Sequence, residues 1–238
     1  MKNIACTLGA LLALGYVPIA AAQASCSSDG TAPPIAVFER FISADCEACW
    51  SETATPAPSA AGGAVVLDWI VPTPAGEDAP LSAAATSEAL ARLQALGRAA
   101  PTTTDVFISP VEGALPARIR VAHGLPFNDY VGAGLSFAPA HAPRGMAAAP
   151  GDLGLYLVLV ESVPAGADGS AVARNVVRAV FSAPWRPGGA PTAARPLPWK
   201  EVRSMRIPDS TQPGRLRVLG WVHDAHGRVL AAAQSVCR

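Results

Sequence analysis

The feature that most constrains this chain is a strand-like run that leads into two closely spaced cysteines. Residues 35–42 are mainly aliphatic and aromatic, which predicts a largely buried strand. The segment Cys46-Glu47-Ala48-Cys49 follows shortly after it. Two cysteines separated by two residues at the end of a strand are typical of a redox turn in an α/β unit. The segment therefore predicts an α/β beginning to the fold and a candidate site for thiol chemistry.

The N-terminal residues have the pattern of an export signal. Lys2 supplies a positive charge, residues 4–22 are apolar and end in small residues, and Ala22-Gln23-Ala24 fits a cleavage site. We expect residues 1–24 to be removed and the mature protein to be periplasmic or secreted. No transmembrane segment is expected after removal, because no later apolar run reaches spanning length.

Export would place the remaining four cysteines in an oxidising compartment. Their spacing favours a bond between Cys46 and Cys49, which leaves Cys26 and Cys237 at the two ends of the mature chain. A structural disulfide between these two would restrict the unfolded chain by about 5 kcal/mol, because the loop that it closes is very long. The alternatives are a free or a lipidated Cys26, which would leave Cys237 unpaired.

The first half of the mature chain alternates between strand and helix patterns. Strands are predicted at 64–71 and 106–108, and a helix from Ala83 to Leu96 with Ser82 as its cap. Together with the first strand and the cysteine turn, this order predicts a compact α/β unit over residues 25–112.

The second half, residues 113–238, has a different sequence pattern. It carries short apolar runs separated by turn residues and no convincing helical pattern, which predicts an antiparallel β-sandwich domain. The predicted strands are 117–121, 154–160, 175–181, 216–222 and 228–233.

Charge excludes one class of partner. The first half of the mature chain is acidic and the second half is basic, but the basic residues are scattered arginines without a run. This pattern favours an internal interface between the halves over a nucleic-acid site. We expect an unknown protein or small-molecule partner and no nucleic acid.

Three short blocks carry a family resemblance. Residues 39–49, Glu-Arg-Phe-Ile-Ser-Ala-Asp-Cys-Glu-Ala-Cys, resemble the E-L-F-T-S-Q-G-C-S-S-C signature of a secreted thioredoxin-like family of proteobacteria with a C-terminal β-sandwich domain and an uncharacterised function. Leu67-Asp68-Trp69 resembles its V-D-Y-W run, and residues 174–178 resemble its H-N-V-V-R strand. The chain departs from the family at Trp50-Ser51, where a proline pair is expected, and at Arg174, which replaces the histidine.

The resemblance implies an α+β fold, a thioredoxin-like α/β domain followed by an antiparallel β-sandwich domain. It brings no established activity. A fold of that kind supplies a cis-proline that faces the disulfide, and Pro101 is the candidate because it stands between the predicted helix and the strand that follows it.

The charges beside Cys46 argue against a strongly catalytic thiol. Asp45, Glu47 and Glu52 surround it in the sequence, and acidic neighbours disfavour a thiolate. We therefore expect a disulfide-stabilised binding or interaction module. The alternative is a thiol–disulfide oxidoreductase in which Cys46 is the nucleophile and Cys49 the resolving thiol.

Metal binding is a lesser alternative. His223 and His226 flank a predicted hairpin turn and would complete a Cys2His2 set with Cys46 and Cys49. Turn histidines are normally solvated, so we expect no metal and no cofactor. His123 is expected to lie in a loop without partners at a useful spacing. The sequence contains no nucleophile-elbow or phosphate-loop motif.

Overall fold

The computed structural model describes residues 26–53, 63–112, 118–138, 153–184 and 199–237. The predicted leader, residues 1–24, lies outside these ranges. No helix within them combines the length and the apolarity needed to cross a bilayer. The elements are β1 (Cys26–Ser27), β2 (Ala36–Ser43), α1 (Glu47–Ser51), β3 (Ala64–Val71), α2 (Ser87–Ala95), β4 (Thr104–Pro110), β5 (Arg118–His123), β6 (Tyr130–Ala138), β7 (Gly154–Val163), β8 (Arg174–Pro184), β9 (Trp199–Arg206), β10 (Leu216–His223), β11 (Val229–Gln234) and β12 (Val236–Cys237).

The described strands form two sheets. One has five strands in the order β12-β1-β5-β6-β9, and the other has seven in the order β11-β10-β7-β8-β3-β2-β4. Most neighbours are antiparallel. Two contacts in the larger sheet are parallel: β2 pairs with β3 along its whole length, and β3 pairs with β8 through Asp68 opposite Val176.

Alternation along β7 divides the apolar core into two layers. Leu157 faces the five-stranded sheet and packs in a cluster with Leu135 of β6. Val158 points to the other face of the larger sheet, where it shares a cluster with Leu93 of α2. Both faces of β7 are therefore covered, which explains its nearly continuous apolar sequence.

The predicted fold class, a thioredoxin-like α/β domain followed by an antiparallel β-sandwich, is wrong. The described fold is predominantly β and contains only two α-helices, of which α1 has five residues and α2 has nine. The parallel contact between β3 and β8 places strands from both halves of the chain in one seven-stranded sheet. The predicted boundary at residue 112 adjoins residues 113–117, which lie outside the described ranges, and it stays a prediction.

The predicted helix from Ala83 to Leu96 is also shorter than expected. The chain makes a 3-10 turn at Ser82–Ala84 and begins α2 only at Ser87. The reason is β3, because the backbone N–H of Thr86 donates to the Ile70 carbonyl at 3.2 Å and holds this part of the chain extended.

Gly220 provides a test of how the two sheets pack. A Cβ on Gly220 of β10 would lie 2.5 Å from Cδ1 of Leu135 and 2.8 Å from Cγ1 of Val121, both in the opposite sheet. We expect Gly220→Ala to lower the free energy of unfolding by about 1–3 kcal/mol, because an added methyl group overpacks this interface. Urea unfolding measures the change.

Gly132→Ala is the matched control. Gly132 also lies in a strand, β6, but a Cβ there has no atom within 4 Å. Its urea midpoint should stay close to that of the wild type. Equal stabilities for the two variants would contradict this account of the sheet packing.

Candidate functional site

The two closely spaced cysteines lie at the carboxyl end of β2. Cys46 is the N-cap residue of α1, and it forms a disulfide bond with Cys49 in the first turn. The backbone N–H of Cys49 donates to the Cys46 sulfur at 3.3 Å. Both cysteines are partly exposed, so a substrate thiol can approach the bond.

A buried arginine from β8 holds the backbone of this turn. One guanidinium nitrogen of Arg174 donates to the carbonyls of Cys49 and Trp50 at 3.0 and 2.7 Å. The same group lies 5.2 Å from the centre of the Trp50 ring. The Trp50 indole in turn donates to the Asp168 carbonyl at 2.7 Å. The cysteine turn is thereby attached to β8 and to the loop that precedes it.

A second layer of charge lies beneath Arg174. Asp68 of β3 accepts a 2.6 Å hydrogen bond from Nε of Arg40, lies 3.5 Å from Arg174, and accepts the backbone N–H of Asn175 at 2.8 Å. We call Arg40, Asp68 and Arg174 the buried charge trio, since each is at most 2% exposed.

The trio carries a net positive charge. Burial raises the pKa of Asp68, against the lowering effects of Arg40 and Arg174. Burial lowers the pKa of Arg174, but a guanidinium keeps its proton under all ordinary conditions. Two cations therefore face one carboxyl group, and the sum is positive in either protonation state of Asp68.

Strand register explains how the trio assembles. Arg40 and Asp68 are directly opposite each other in the parallel pair of β2 and β3, and Arg174 begins β8 beside them. These three residues are not among the site residues that the sequence predicts. A signal was present, because the charged residues Glu39, Arg40 and Asp68 stand in strands that are otherwise mainly apolar. Buried charges of this kind are seldom found without partners.

A cleft of mixed polarity and about 270 Å³ adjoins the cysteine turn at Trp50. Trp50 forms part of its wall, and the ion pair between Arg178 and Glu161, 2.6 Å long, lies along another side. The remaining wall is mainly aliphatic and includes Ile70, Leu81, Val163 and Val176. Neither Cys46 nor Cys49 lines this cleft, which meets the cysteine turn through Trp50.

Pro101 is not a cis-proline. Its peptide bond is trans, as is every other peptide bond in the described residues. In the segment between α2 and β4, Thr103 and not Pro101 contacts the end of β2. The backbone N–H of Ser43 donates to the Thr103 carbonyl at 2.8 Å. The residue that the sequence indicated as the disulfide's partner therefore does not have the expected geometry.

The outer cysteines also form a disulfide bond, between Cys26 of β1 and Cys237 of β12. The expectation that the chain contains disulfide bonds is confirmed. His123 ends β5 instead of lying in a loop, and it faces Cys26 across the strand pair. One donor atom from each of these three residues lies within 4.8 Å of the other two. We call this group the terminal clasp.

The alternative metal set of the sequence analysis does not form. His223 and His226 line a separate cleft, and the clasp is the one group of three or more His, Cys, Asp or Glu ligands that the described ranges bring together. Sequence spacing could not reveal the clasp, because its members come from three strands that are far apart in the chain.

That separate cleft has a volume of about 660 Å³. Tyr156 lines it and stacks on Trp221 at 4.6 Å between ring centres. Arg92 lies 4.8 Å from the Tyr156 ring centre and forms a buried ion pair with Glu39 at 2.6 Å. The cleft therefore combines an aromatic wall with several polar and charged side chains, among them His223, Asp224 and His226.

Comparison with protein-family models finds no match for this chain, and comparison with curated proteins finds none either.

The buried charge trio predicts a large effect of one substitution. Asp68→Asn removes the carboxylate that Arg40 and Arg174 share, so two buried cations lose their counter-ion. We expect the free energy of unfolding to fall by about 3–5 kcal/mol, measured by urea unfolding.

Asp105→Asn is the control for this test, because the ion pair between Arg98 and Asp105 is partly solvated. Its unfolding midpoint should barely move. An Asp68→Asn variant with a similarly small change would show that the trio does not depend on the carboxylate.

His123 predicts how stability changes with pH. Burial lowers the pKa of His123. The unfolded chain therefore binds this proton more readily than the folded one, so the histidine's contribution is fully present above about pH 6.5 and is lost as the pH falls below it. Urea unfolding of the oxidised protein between pH 7.5 and 5 should show this loss. His123→Gln should make the pH dependence shallower, and an unchanged slope would contradict the assignment.

Proposed function

We propose that this protein is an exported thiol–disulfide oxidoreductase that exchanges disulfides through Cys46 and Cys49. The observation that carries the proposal is the buried Arg174 guanidinium on the carbonyls of Cys49 and Trp50. Export is supported by the predicted leader and by the two disulfide bonds, which persist in oxidising compartments.

The depth of the charges decides which of them act on the thiols. Asp45, Glu47 and Glu52 are exposed, and salt and water screen them. Arg174 is 2% exposed and acts through a medium of lower dielectric constant. The buried positive charge therefore outweighs the acidic flanks and stabilises a thiolate in the reduced turn.

The two disulfide bonds differ in what they can contribute to stability. Cys26 and Cys237 are separated by 211 positions, whereas Cys46 and Cys49 are separated by 3. By restricting the unfolded chain, the disulfide that closes the long loop stabilises the fold by about 5 kcal/mol, and the one that closes the short loop by only about 2 kcal/mol. A purely structural role explains the outer bond better than the inner one.

The proposed reaction takes two electrons from a substrate dithiol. A substrate thiolate attacks the Cys46 sulfur, the bond to Cys49 breaks, and Cys49 leaves as a thiolate that takes up a proton. A second substrate thiolate then attacks the substrate sulfur of the mixed disulfide, and Cys46 leaves as a thiolate. The substrate gains one disulfide bond and the protein is reduced by two electrons.

The charge of the site favours this direction. The Cys49 N–H and the buried charge trio stabilise the reduced form, and a stabilised reduced form makes a dithiol pair more oxidising. In the reverse direction Cys46 is the nucleophile and Cys49 the resolving thiol. The resemblance of residues 39–49 to the secreted proteobacterial family stays a prediction and adds no activity to this argument.

A disulfide-stabilised binding module is the second candidate. The large cleft beside Tyr156 and Arg92 favours it, because such a pocket has no evident role in thiol exchange. Replacement of both Cys46 and Cys49 by Ser separates the two candidates. The oxidoreductase requires lost exchange activity in a folded protein, whereas a binding module with a structural disulfide requires lost stability.

Arg174 provides the sharpest test of the oxidoreductase. In the reduced protein we expect Cys46 to be alkylated with a pH midpoint below about 8.5, the value of an ordinary cysteine. Arg174→Gln should raise this midpoint, because it removes the buried charge. It should also make the potential more reducing, by about 30 mV for each tenfold change in the exchange constant with glutathione.

Two control variants accompany Arg174→Gln. Arg174→Lys keeps the positive charge and should retain part of the shift, which separates charge from packing. Arg98→Gln removes an exposed cation that pairs with Asp105 and should change neither quantity. The proposal fails if wild-type Cys46 is alkylated like an ordinary cysteine or if the glutathione titration is the same for Arg174→Gln.

A further inference from the structure

We propose that the terminal clasp, formed by Cys26, His123 and Cys237, is a zinc site when its disulfide is reduced. The clasp then exists in two forms. Under oxidising conditions it is a disulfide bond, and under reducing conditions it is a Cys2His metal centre. The proposal is independent of the function assigned to Cys46 and Cys49, which lie at the end of a strand in the other sheet.

Strand register brings the three ligands together. β1 lies between β12 and β5, so that Cys26 has Cys237 opposite it on one side and His123 opposite it on the other. Residues that face each other across antiparallel strands place their side chains on the same face of the sheet. The cluster therefore follows from the backbone pairing of three strands and does not depend on one flexible loop.

The distances suit one metal ion. Zinc binds thiolate sulfur at about 2.3 Å and imidazole nitrogen at about 2.0–2.1 Å in tetrahedral geometry, so two of its ligand atoms are about 3.5–3.8 Å apart. The donor atoms of Cys26, His123 and Cys237 lie within 4.8 Å of one another. Zinc binding would require the sulfur–sulfur bond to open and the two cysteine side chains to turn until the three donor atoms reach this range.

The surroundings of His123 suit a ligand role. Its Nδ1 lies 2.9 Å from the carbonyl of Gly124. Leu216 is a second backbone hydrogen-bond partner of the ring. With its proton on Nδ1, donated to the Gly124 carbonyl, the ring would bind a metal through Nε2, the orientation common among metal-bound histidines. Cys26 and His123 are buried, at 5% and 4% exposure, whereas Cys237 is exposed, so the bound ion would be open to water on the side of Cys237.

The change between the two forms is chemically balanced. A dithiol reductant gives two electrons and two protons to the disulfide of Cys26 and Cys237, and it becomes a disulfide itself. Zinc then binds the two thiols and the neutral imidazole of His123, and the two thiol protons pass to solvent. Water fills the fourth position of the ion. The two ends of the described chain therefore stay joined whether the compartment is oxidising or reducing.

The test uses the full chain with Cys6→Ser, Cys46→Ser and Cys49→Ser, so that the clasp holds its only thiols. This parent protein is reduced with a phosphine, and Co²⁺ serves as the spectroscopic probe for zinc. We expect one equivalent of Co²⁺ to give thiolate-to-cobalt charge transfer and tetrahedral d–d bands, and one equivalent of Zn²⁺ to remove them. The oxidised parent should give no bands.

Two further variants test the ligand set. His123→Ala should weaken Co²⁺ binding at least tenfold and change the d–d bands, since one nitrogen ligand is lost. His223→Ala removes a partly buried imidazole that lines the large cleft and should change neither. Circular dichroism of each oxidised protein, recorded before reduction, establishes that the variants are folded.

Three results would overturn the proposal. The first is a reduced parent that gives no charge-transfer band with Co²⁺. The second is an affinity that His123→Ala leaves unchanged or that His223→Ala lowers equally. The third is metal binding only by an unfolded reduced parent, as judged by its circular dichroism, since the clasp requires the paired strands.

Discussion

The carboxylate of Asp68 joins the two parts of the larger sheet. β3 and β8 share only one register pair, Asp68 with Val176, where other neighbours share long ladders. Side chains compensate for the missing backbone bonds. Asp68 accepts the N–H of Asn175, and the Asn175 amide donates to the Val66 carbonyl at 3.0 Å. The continuity of the seven-stranded sheet therefore depends on a buried polar contact and not on apolar packing alone.

This dependence links stability to the chemistry of the cysteine turn. A buried carboxylate lowers stability unless cations pair with it. The role of Asp68 between β3 and β8 therefore requires Arg40 and Arg174. Arg174 has donors left after it reaches Asp68, and these hold the carbonyls of Cys49 and Trp50. Arg174 therefore contacts both the carboxylate that joins the sheet and the backbone of the cysteine turn.

Local pattern was sufficient for most strands and insufficient for their arrangement. The apolar runs at 64–71 and 154–160 became β3 and β7, because continuous burial selects such residues. β6 and β9 were not predicted. In β6, Gly132 and Gly134 weaken the alternation of apolar and polar side chains. In β9, few side chains besides Trp199 and Met205 are buried. The predicted fold class was wrong because the arrangement of the sheets depends on the contact between β3 and β8. This contact involves polar residues more than 100 positions apart in the sequence.

In the candidate site, too, some features follow from the local sequence and others depend on residues far apart in the chain. The pairing of Cys46 with Cys49 follows from their spacing, but Arg174 reaches Cys49 across 125 positions, and only the strand order brings it there. His123 is another such case, since β1 places it beside Cys26. In both disulfides the cysteines could be read from the sequence, whereas the buried side chain beside them could not. Only the strand order places a guanidinium at the carbonyls of the inner cysteine turn and an imidazole opposite Cys26 of the outer bond.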